Sequence, residues 1–114
     1  MVAPQFDPDQ YQFYEVAQED EIHPGERLFI EIGDQPIVLL STGGSLYALG
    51  DVCTHDDGPL GDGQVDGCVI TCPRHGARFD VRTGAVLAFP AVTPAPVYPV
   101  RVVAGKIEIG IPKL

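Results

Sequence analysis

Cys53-Thr54-His55 and Cys72-Pro73-Arg74-His75 are the two segments around which the fold is expected to be organised. Each segment supplies one cysteine and one histidine within a few residues. Two loops that meet in space can therefore offer two thiolates and two imidazoles to a single metal centre. The rest of the chain is expected to act as the scaffold that brings these loops together.

The scaffold around the two segments is predicted to be all-β. Thirteen glycines and eleven prolines interrupt the chain so often that no window has the period and caps of an ordinary helix. Alternating apolar residues and β-branched runs predict strands over residues 11–17, 27–32, 36–40, 45–49, 77–81, 97–103 and 106–111. Turn residues predict that 27–32 pairs with 36–40 and 97–103 with 106–111 as hairpins, and that residues 65–70 form a tight hairpin. Residues 88–99 contain four prolines and are predicted to be extended or looped. Each ligand segment then lies on a loop at a strand end.

Length and charge limit the possible roles. A chain of 114 residues and 12.2 kDa is expected to form one domain over residues 1–114. A formal net charge of -9 disfavours nucleic acid as a partner and is explained equally well by a basic protein partner or by solubility alone. No apolar run reaches membrane-spanning length, so no membrane association is expected. Three cysteines, two of them beside histidines, favour a reducing compartment, and the expected location is cytoplasmic.

Three interpretations of the paired segments are considered. The four residues can be ordinary core and surface positions without a metal, although two mirrored pairs in turn-rich loops disfavour this. A structural zinc module is chemically possible, but zinc fingers usually place two cysteines on one element and two histidines on another. A Rieske [2Fe-2S] cluster binds two cysteines at one iron and two histidines at the other. One cysteine and one histidine in each loop match this last arrangement.

The sequence resembles the Rieske family, and in particular the small Rieske-type ferredoxins that serve bacterial ring-hydroxylating oxygenases. The resemblance runs from about Phe13 to the C-terminus. It rests on the two ligand segments, on Gly76-Ala77-Arg78-Phe79-Asp80 and on Arg82-Thr83-Gly84. It extends to Tyr98-Pro99-Val100-Arg101-Val102 and Gly105-Lys106-Ile107. It implies an antiparallel β-sandwich with a cluster-binding subdomain of two loops at one tip.

The resemblance also implies the site and the role. Cys53 and Cys72 would bind an inner iron, and His55 and His75 an outer iron near the surface, with one [2Fe-2S] cluster per chain. The expected function is one-electron transfer from a reductase to a terminal non-heme iron oxygenase, without catalysis by the chain itself. Partners are expected to dock over the two histidines. The alternative is a small Rieske subunit of a larger redox complex, such as a nitrite reductase.

Departures from the respiratory-chain Rieske pattern predict a low reduction potential. Those proteins add a disulfide between the loops and a serine that donates to a bridging sulfide. Here Pro59 stands in place of a loop cysteine, Arg74 follows Pro73, and Ala77 occupies the position of the serine. Fewer hydrogen bonds to the sulfides stabilise the reduced state less. The potential is therefore expected toward the low end of the Rieske range of about -150 to +300 mV.

Other candidate residues receive simpler interpretations. Once His55 and His75 are assigned, only His23 remains, which excludes a mononuclear two-histidine iron site. Cys68 is predicted to be a small buried residue of the 65–70 segment, and His23 an exposed loop residue. Further expectations are a core position for Phe79 and pairing of Arg74 or Arg78 with a carboxylate such as Asp80. Asp56 and Asp57 are interpreted as solvated loop carboxylates, with docking to a basic reductase or oxygenase as the alternative.

Overall fold

The computed structural model describes residues 6–52, 59–73, 76–89 and 93–113. Within these ranges the chain forms eleven strands and two single-turn 3-10 helices, Pro8–Gln10 and Glu19–Glu21. The strands are β1 (Tyr11–Gln18), β2 (Arg27–Ile32), β3 (Gln35–Thr42), β4 (Ser45–Gly50), β5 (Gln64–Asp66), β6 (Val69–Thr71), β7 (Arg78–Asp80), β8 (Val86–Ala88), β9 (Val97–Tyr98), β10 (Val100–Val103) and β11 (Lys106–Pro112). No helix of the described part is long and apolar enough to cross a bilayer.

The strands form three antiparallel sheets. The first has the order β1-β11-β10, the second β2-β3-β4-β9 and the third β5-β6-β7-β8. Hairpins account for most of the pairing, including β2 with β3 and β10 with β11. The pairing of β1 with β11 instead joins the two ends of the described chain. The predicted all-β class and the antiparallel sandwich are both confirmed.

The second sheet lies between two hydrophobic cores. Alternate residues of a strand point to opposite faces, so Ile37 and Leu39 of β3 face one way and Val38 and Leu40 the other. The first pair packs with Ile107 and Ile109 of β11, in the core shared with the first sheet. The second pair packs against side chains of the third sheet. These four residues are at most 2% exposed, because the middle of β3 is covered on both faces.

Pro99 divides a region that was predicted to be one strand. The predicted strand over residues 97–103 is wrong, since β9 pairs with β4 of the second sheet and β10 pairs with β11 of the first. Proline has no backbone N–H to donate to a ladder, and its fixed φ favours a change of direction. The carbonyl of Pro99 still accepts from the N–H of Gly110 at 2.9 Å. The chain therefore changes sheets at this residue.

The small third sheet supports both ligand loops. The first loop joins β4 to β5, and the second joins β6 to β7. The predicted strand over 77–81 is shorter, Arg78–Asp80, and β8 was missed because Val86–Ala88 lies in a short segment followed by prolines. The hairpin near residues 65–70 is present, but Cys68 was wrongly placed. It lies in the turn between β5 and β6 and is half-buried, since a turn residue has fewer neighbours than a strand residue.

Candidate metal centre

Cys72 is the one predicted ligand that falls within the described residues. Cys53, His55 and His75 lie outside them, as do Asp56, Asp57 and Arg74. Among the residues that the structure describes, no group of three or more histidine, cysteine or carboxylate side chains forms a rival metal site. The described part of the site therefore consists of Cys72 and of the segments that lead into and out of the two loops.

Cys72 lies immediately after β6, at the base of the second loop. Its side chain is 1% exposed and belongs to the core between the second and third sheets. Leu60, Ala77 and Phe79 are members of the same core, and each is fully buried. Sequence reasoning correctly placed Phe79 in the core. A cysteine in this position presents its sulfur from the protein interior rather than from the surface.

Two backbone hydrogen bonds close the second loop. The N–H of Cys72 donates to the carbonyl of Ala77 at 2.7 Å, and the N–H of Gly76 donates to the carbonyl of Cys72 at 3.1 Å. Gly76 has φ of +77°, a left-handed conformation that favours glycine. Because the bond between Cys72 and Ala77 spans the loop, the two ends of residues 72–77 are held together at the edge of the third sheet.

The first loop is closed by a side chain instead. Asp51 precedes Cys53 by two residues, and its Oδ1 accepts the N–H of Leu60 at 3.0 Å and the N–H of Gly61 at 2.5 Å. Asp51 lies before residues 53–58, and its carboxylate thus binds the backbone that follows them. Sequence reasoning missed Asp51, because an aspartate near a turn has many ordinary roles and its partners here are backbone groups.

Arg27 of β2 binds the same segment through its carbonyl groups. Its Nη1 donates to the carbonyl of Gly61 and, at 2.7 Å, to the carbonyl of Gly63. Sequence reasoning also missed Arg27, which lies more than thirty residues away in the chain. An alternating strand pattern identifies the position of Arg27 in β2 but carries no signal for a contact of this range.

The partner of Asp80 differs from the expectation. Asp80 pairs with Arg82, whereas Arg78 is exposed on β7 and Arg74 lies outside the described residues. Asp80 is the last residue of β7 and Arg82 lies within the turn that follows, which brings their side chains together. The hydrogen bond from the Arg82 side chain lowers the pKa of Asp80, and the carboxylate raises the pKa of Arg82.

His23 is available to solvent. Its side chain is 73% exposed and its Nδ1 lies 3.0 Å from Glu26 Oε1, as expected for a loop histidine. It precedes β2 and contacts its own turn, where the N–H of His23 also donates to Glu26 Oε1 at 2.7 Å. This local pairing accounts for His23 without a role in metal binding.

The described parts of the site are compatible with a [2Fe-2S] cluster. Such a cluster needs soft thiolate sulfurs on its protected side, and Cys72 supplies a buried sulfur. The carbonyl and N–H groups at the base of residues 72–77 are already paired with each other, so binding a cluster leaves those hydrogen bonds in place. The donor set in the sequence, two cysteines and two histidines, is also the set that a Rieske cluster requires.

Comparison with known proteins identifies the family. The Rieske [2Fe-2S] domain model matches residues 12–99. The ferredoxin subunit of anthranilate 1,2-dioxygenase from Burkholderia cepacia is 39% identical over 93 residues, which cover 81% of this chain and 85% of that protein. The ferredoxin of carbazole 1,9a-dioxygenase from Nocardioides aromaticivorans IC177 has a TM-score of 0.80 at 34% identity and covers 89% of this chain and 98% of its own.

A second solved structure adds a partner to the comparison. A chain in the complex of reduced oxygenase and oxidized ferredoxin of carbazole 1,9a-dioxygenase is 33% identical, with a TM-score of 0.78. The match covers 84% of this chain and 99% of that chain. The predicted family is thus confirmed by the domain match, by sequence identity and by the fold. The chain belongs to the Rieske [2Fe-2S] domain family.

Proposed function

We propose that this chain is a one-electron carrier that passes electrons from a reductase to a terminal non-heme iron oxygenase. The observation that carries the proposal is the match to ferredoxin components over nearly the whole of their length. A carrier of this size needs only a redox group and a docking surface. The chain is an electron-transfer protein and not itself a catalytic enzyme.

Four residues are proposed to hold one [2Fe-2S] cluster. Cys53 and Cys72 would bind the inner iron, and His55 and His75 the outer iron. The burial of Cys72 supports its assignment to the inner iron. A bound cluster would supply a reversible one-electron couple. The chain's own contribution is to hold the two loops, to cover the cysteine side with the core of Leu60, Ala77 and Phe79, and to leave the histidine side for partners.

The proposed acceptor is supported by a comparison, whereas the charge of the partner's surface and the location are inferred from the sequence. The oxygenase as acceptor is supported by the solved complex of a related ferredoxin with its oxygenase. The net charge of -9 favours a basic docking surface on the partner. We further propose that residues 1–114 act as one domain and that the protein works in the cytoplasm, where thiol ligands remain reduced.

Spectroscopy of the purified protein tests the cluster assignment. We expect a coloured protein that gives a [2Fe-2S] EPR signal after reduction with dithionite, and iron and sulfide at two atoms each per chain. Cys72→Ser should abolish the signal, while Cys68→Ser should retain it. A colourless sample that contains zinc would overturn the assignment.

Electron transfer tests the role. The reduced protein is mixed anaerobically with an oxidised terminal oxygenase encoded beside it, and the reoxidation of the carrier is followed by stopped-flow absorbance. Transfer of one electron per chain supports the proposal. A protein that carries the cluster, transfers to no such oxygenase and copurifies with a larger redox enzyme would support the alternative of a complex subunit.

A further inference from the structure

Residues 60–63, here called the brace, form the end of the first ligand loop, immediately before β5. On one side Asp51 Oδ1 accepts the N–H groups of Leu60 and Gly61, at 3.0 and 2.5 Å. Asp51 is separated from Cys53 by a single residue. The brace is therefore hydrogen-bonded to the chain immediately before the first cysteine of the proposed site.

The other side of the brace contacts the chain immediately before the second cysteine. A Cβ atom added to Gly63 would lie 2.0 Å from the carbonyl oxygen of Thr71, which shows how closely the two backbones approach. Thr71 is the last residue of β6 and precedes Cys72. The same four residues thus touch the segments that lead into both proposed cysteine ligands.

The brace is itself held in a fixed conformation. The N–H of Gly63 donates to the carbonyl of Leu60 at 2.9 Å, and Arg27 binds the carbonyls of Gly61 and Gly63. Gly61 is also closely packed, because an added Cβ would lie 2.6 Å from Phe29 Cε1 and 2.9 Å from Asp51 Oδ1, so one of these side chains would have to shift. Charged side chains thus bind two N–H groups and two carbonyls of the brace, and hydrogen bonds to charged groups are the stronger class.

We propose that Asp51 is a positioning residue that sets the spacing between the two cysteine loops through the brace. This inference rests on the proposed function, since spacing matters only if both loops bind one cluster. Asp51 does not touch the cluster in this proposal. Asp51 holds the end of the first loop in place. The brace, through its contact with Thr71, then sets the distance from that end to Cys72. Mutation of residues that orient metal ligands typically lowers metal affinity by about 10- to 100-fold.

Three variants separate hydrogen bonding from charge. Asp51→Ala removes the acceptor and one negative charge, whereas Asp51→Asn removes the same charge but retains an acceptor oxygen. Asp62→Ala is the matched control, because Asp62 is an exposed residue of the brace and its loss also removes one negative charge. Each holoprotein is challenged with an iron chelator, and the loss of visible absorbance is followed at constant temperature.

We expect Asp51→Ala to lose the cluster about tenfold or more faster than the wild type. Asp51→Asn should stay within about threefold of the wild-type rate, and Asp62→Ala should match the wild type. The reduction potential and the EPR line shape provide a second measurement. Because Asp51→Ala and Asp51→Asn change the charge equally, a difference between their potentials or spectra reports a change in cluster geometry.

The inference is overturned if Asp51→Ala loses its cluster at the rate of Asp62→Ala and has the EPR spectrum and potential of Asp51→Asn. Should Asp51→Ala fail to fold as judged by far-UV circular dichroism, Asp51→Ser replaces it, with the same two outcomes. Failure of the proposed function is seen separately, since it would appear as the absence of a [2Fe-2S] EPR signal in the wild type.

Discussion

Asp80 and Arg82 form a two-point ion pair at the turn that follows β7. Asp80 Oδ1 accepts from Arg82 Nε at 3.0 Å and from the Arg82 backbone N–H at 2.9 Å, while Oδ2 accepts from Nη2 at 2.9 Å. The Asp80 side chain is 3% exposed and the Arg82 side chain 40% exposed. The buried carboxylate is therefore satisfied by one residue, and its charged form is favoured by three hydrogen bonds.

This pair predicts a pH-dependent contribution to stability. Hydrogen bonds from Arg82 lower the pKa of Asp80 below its ordinary value of 3.8. A carboxyl group with a lowered folded-state pKa stabilises the fold above the unfolded-state pKa, and this stabilisation is lost as the pH falls through the folded-state pKa. At pH 7, Asp80→Asn should lower the free energy of unfolding by about 1 to 2 kcal/mol, the low end for charged hydrogen bonds because Arg82 is partly solvated.

Urea unfolding of the two proteins between pH 7 and pH 2 measures this effect. The difference between wild type and Asp80→Asn should be constant above about pH 5 and should shrink below about pH 4. Asp66→Asn, at an exposed aspartate of β5, serves as the control and should show no such change. A difference between wild type and Asp80→Asn that stays constant down to pH 2 would contradict the role assigned to the pair.

Gly63 predicts a large cost for a single added methyl group. It is buried, and a Cβ atom there would overlap the carbonyl of Thr71. Because the overlapping atom of Thr71 belongs to the backbone, the brace and β6 would have to move apart to accommodate the methyl group. Gly63→Ala should destabilise the protein by about 2 to 3 kcal/mol and lower the fraction of chains that retain a cluster.

Gly67→Ala is the matched comparison for Gly63→Ala. Gly67 has φ of +61°, and an added Cβ there meets no atom within 4 Å. Its substitution should therefore cost only the strain of a left-handed backbone, about 1 kcal/mol. Chemical unfolding and iron content are measured for both variants. If Gly63→Ala were as stable as Gly67→Ala, the close contact between the brace and Thr71 would be refuted.

Cys68 is expected to be dispensable for the cluster. It lies in the turn between β5 and β6, and its carbonyl accepts the N–H of Val81 at 2.8 Å, a contact that any residue can make. Cys68→Ser should preserve the absorbance and EPR spectra and should change the free energy of unfolding by less than about 1 kcal/mol. A loss of the cluster signal in this variant would place Cys68 among the ligands and displace one of the four proposed.

The fold class was predictable because local patterns specify strands and turns. The hairpin of β2 and β3 and that of β10 and β11 were both expected from alternating residues and intervening turn residues. The switch at Pro99 was not predicted, because residues 97–103 satisfy a strand pattern throughout. Only the sheet partners reveal that Tyr98 and Val100 belong to different layers. Sheet membership depends on contacts between distant strands, which a single sequence does not display.

The proposed ligands were predictable from the sequence, whereas the residues that position the ligand loops were not. Paired cysteine and histidine residues have a chemical signature, and the Rieske family inferred from it is confirmed. The assignment of Cys53, His55, Cys72 and His75 as ligands stays a prediction. Asp51 and Arg27 carry no comparable signature, since their partners are backbone groups brought near by the fold. A chemical motif can thus be recognised locally, whereas the residues that position it are recognised only in three dimensions.

Replacement of His75 by cysteine tests the electronic role of the proposed histidine ligands. A neutral imidazole is exchanged for a thiolate, so the added electron meets one more negative charge at the cluster. We expect His75→Cys to lower the reduction potential on the order of 100 mV, toward the value of about -400 mV for all-cysteine plant-type ferredoxins. Redox titration followed by EPR measures the shift in reduction potential. Cys68→Ser is the control for a change in the number of cysteines away from the proposed ligands. A variant that keeps its cluster at an unchanged potential would show that His75 does not bind the iron.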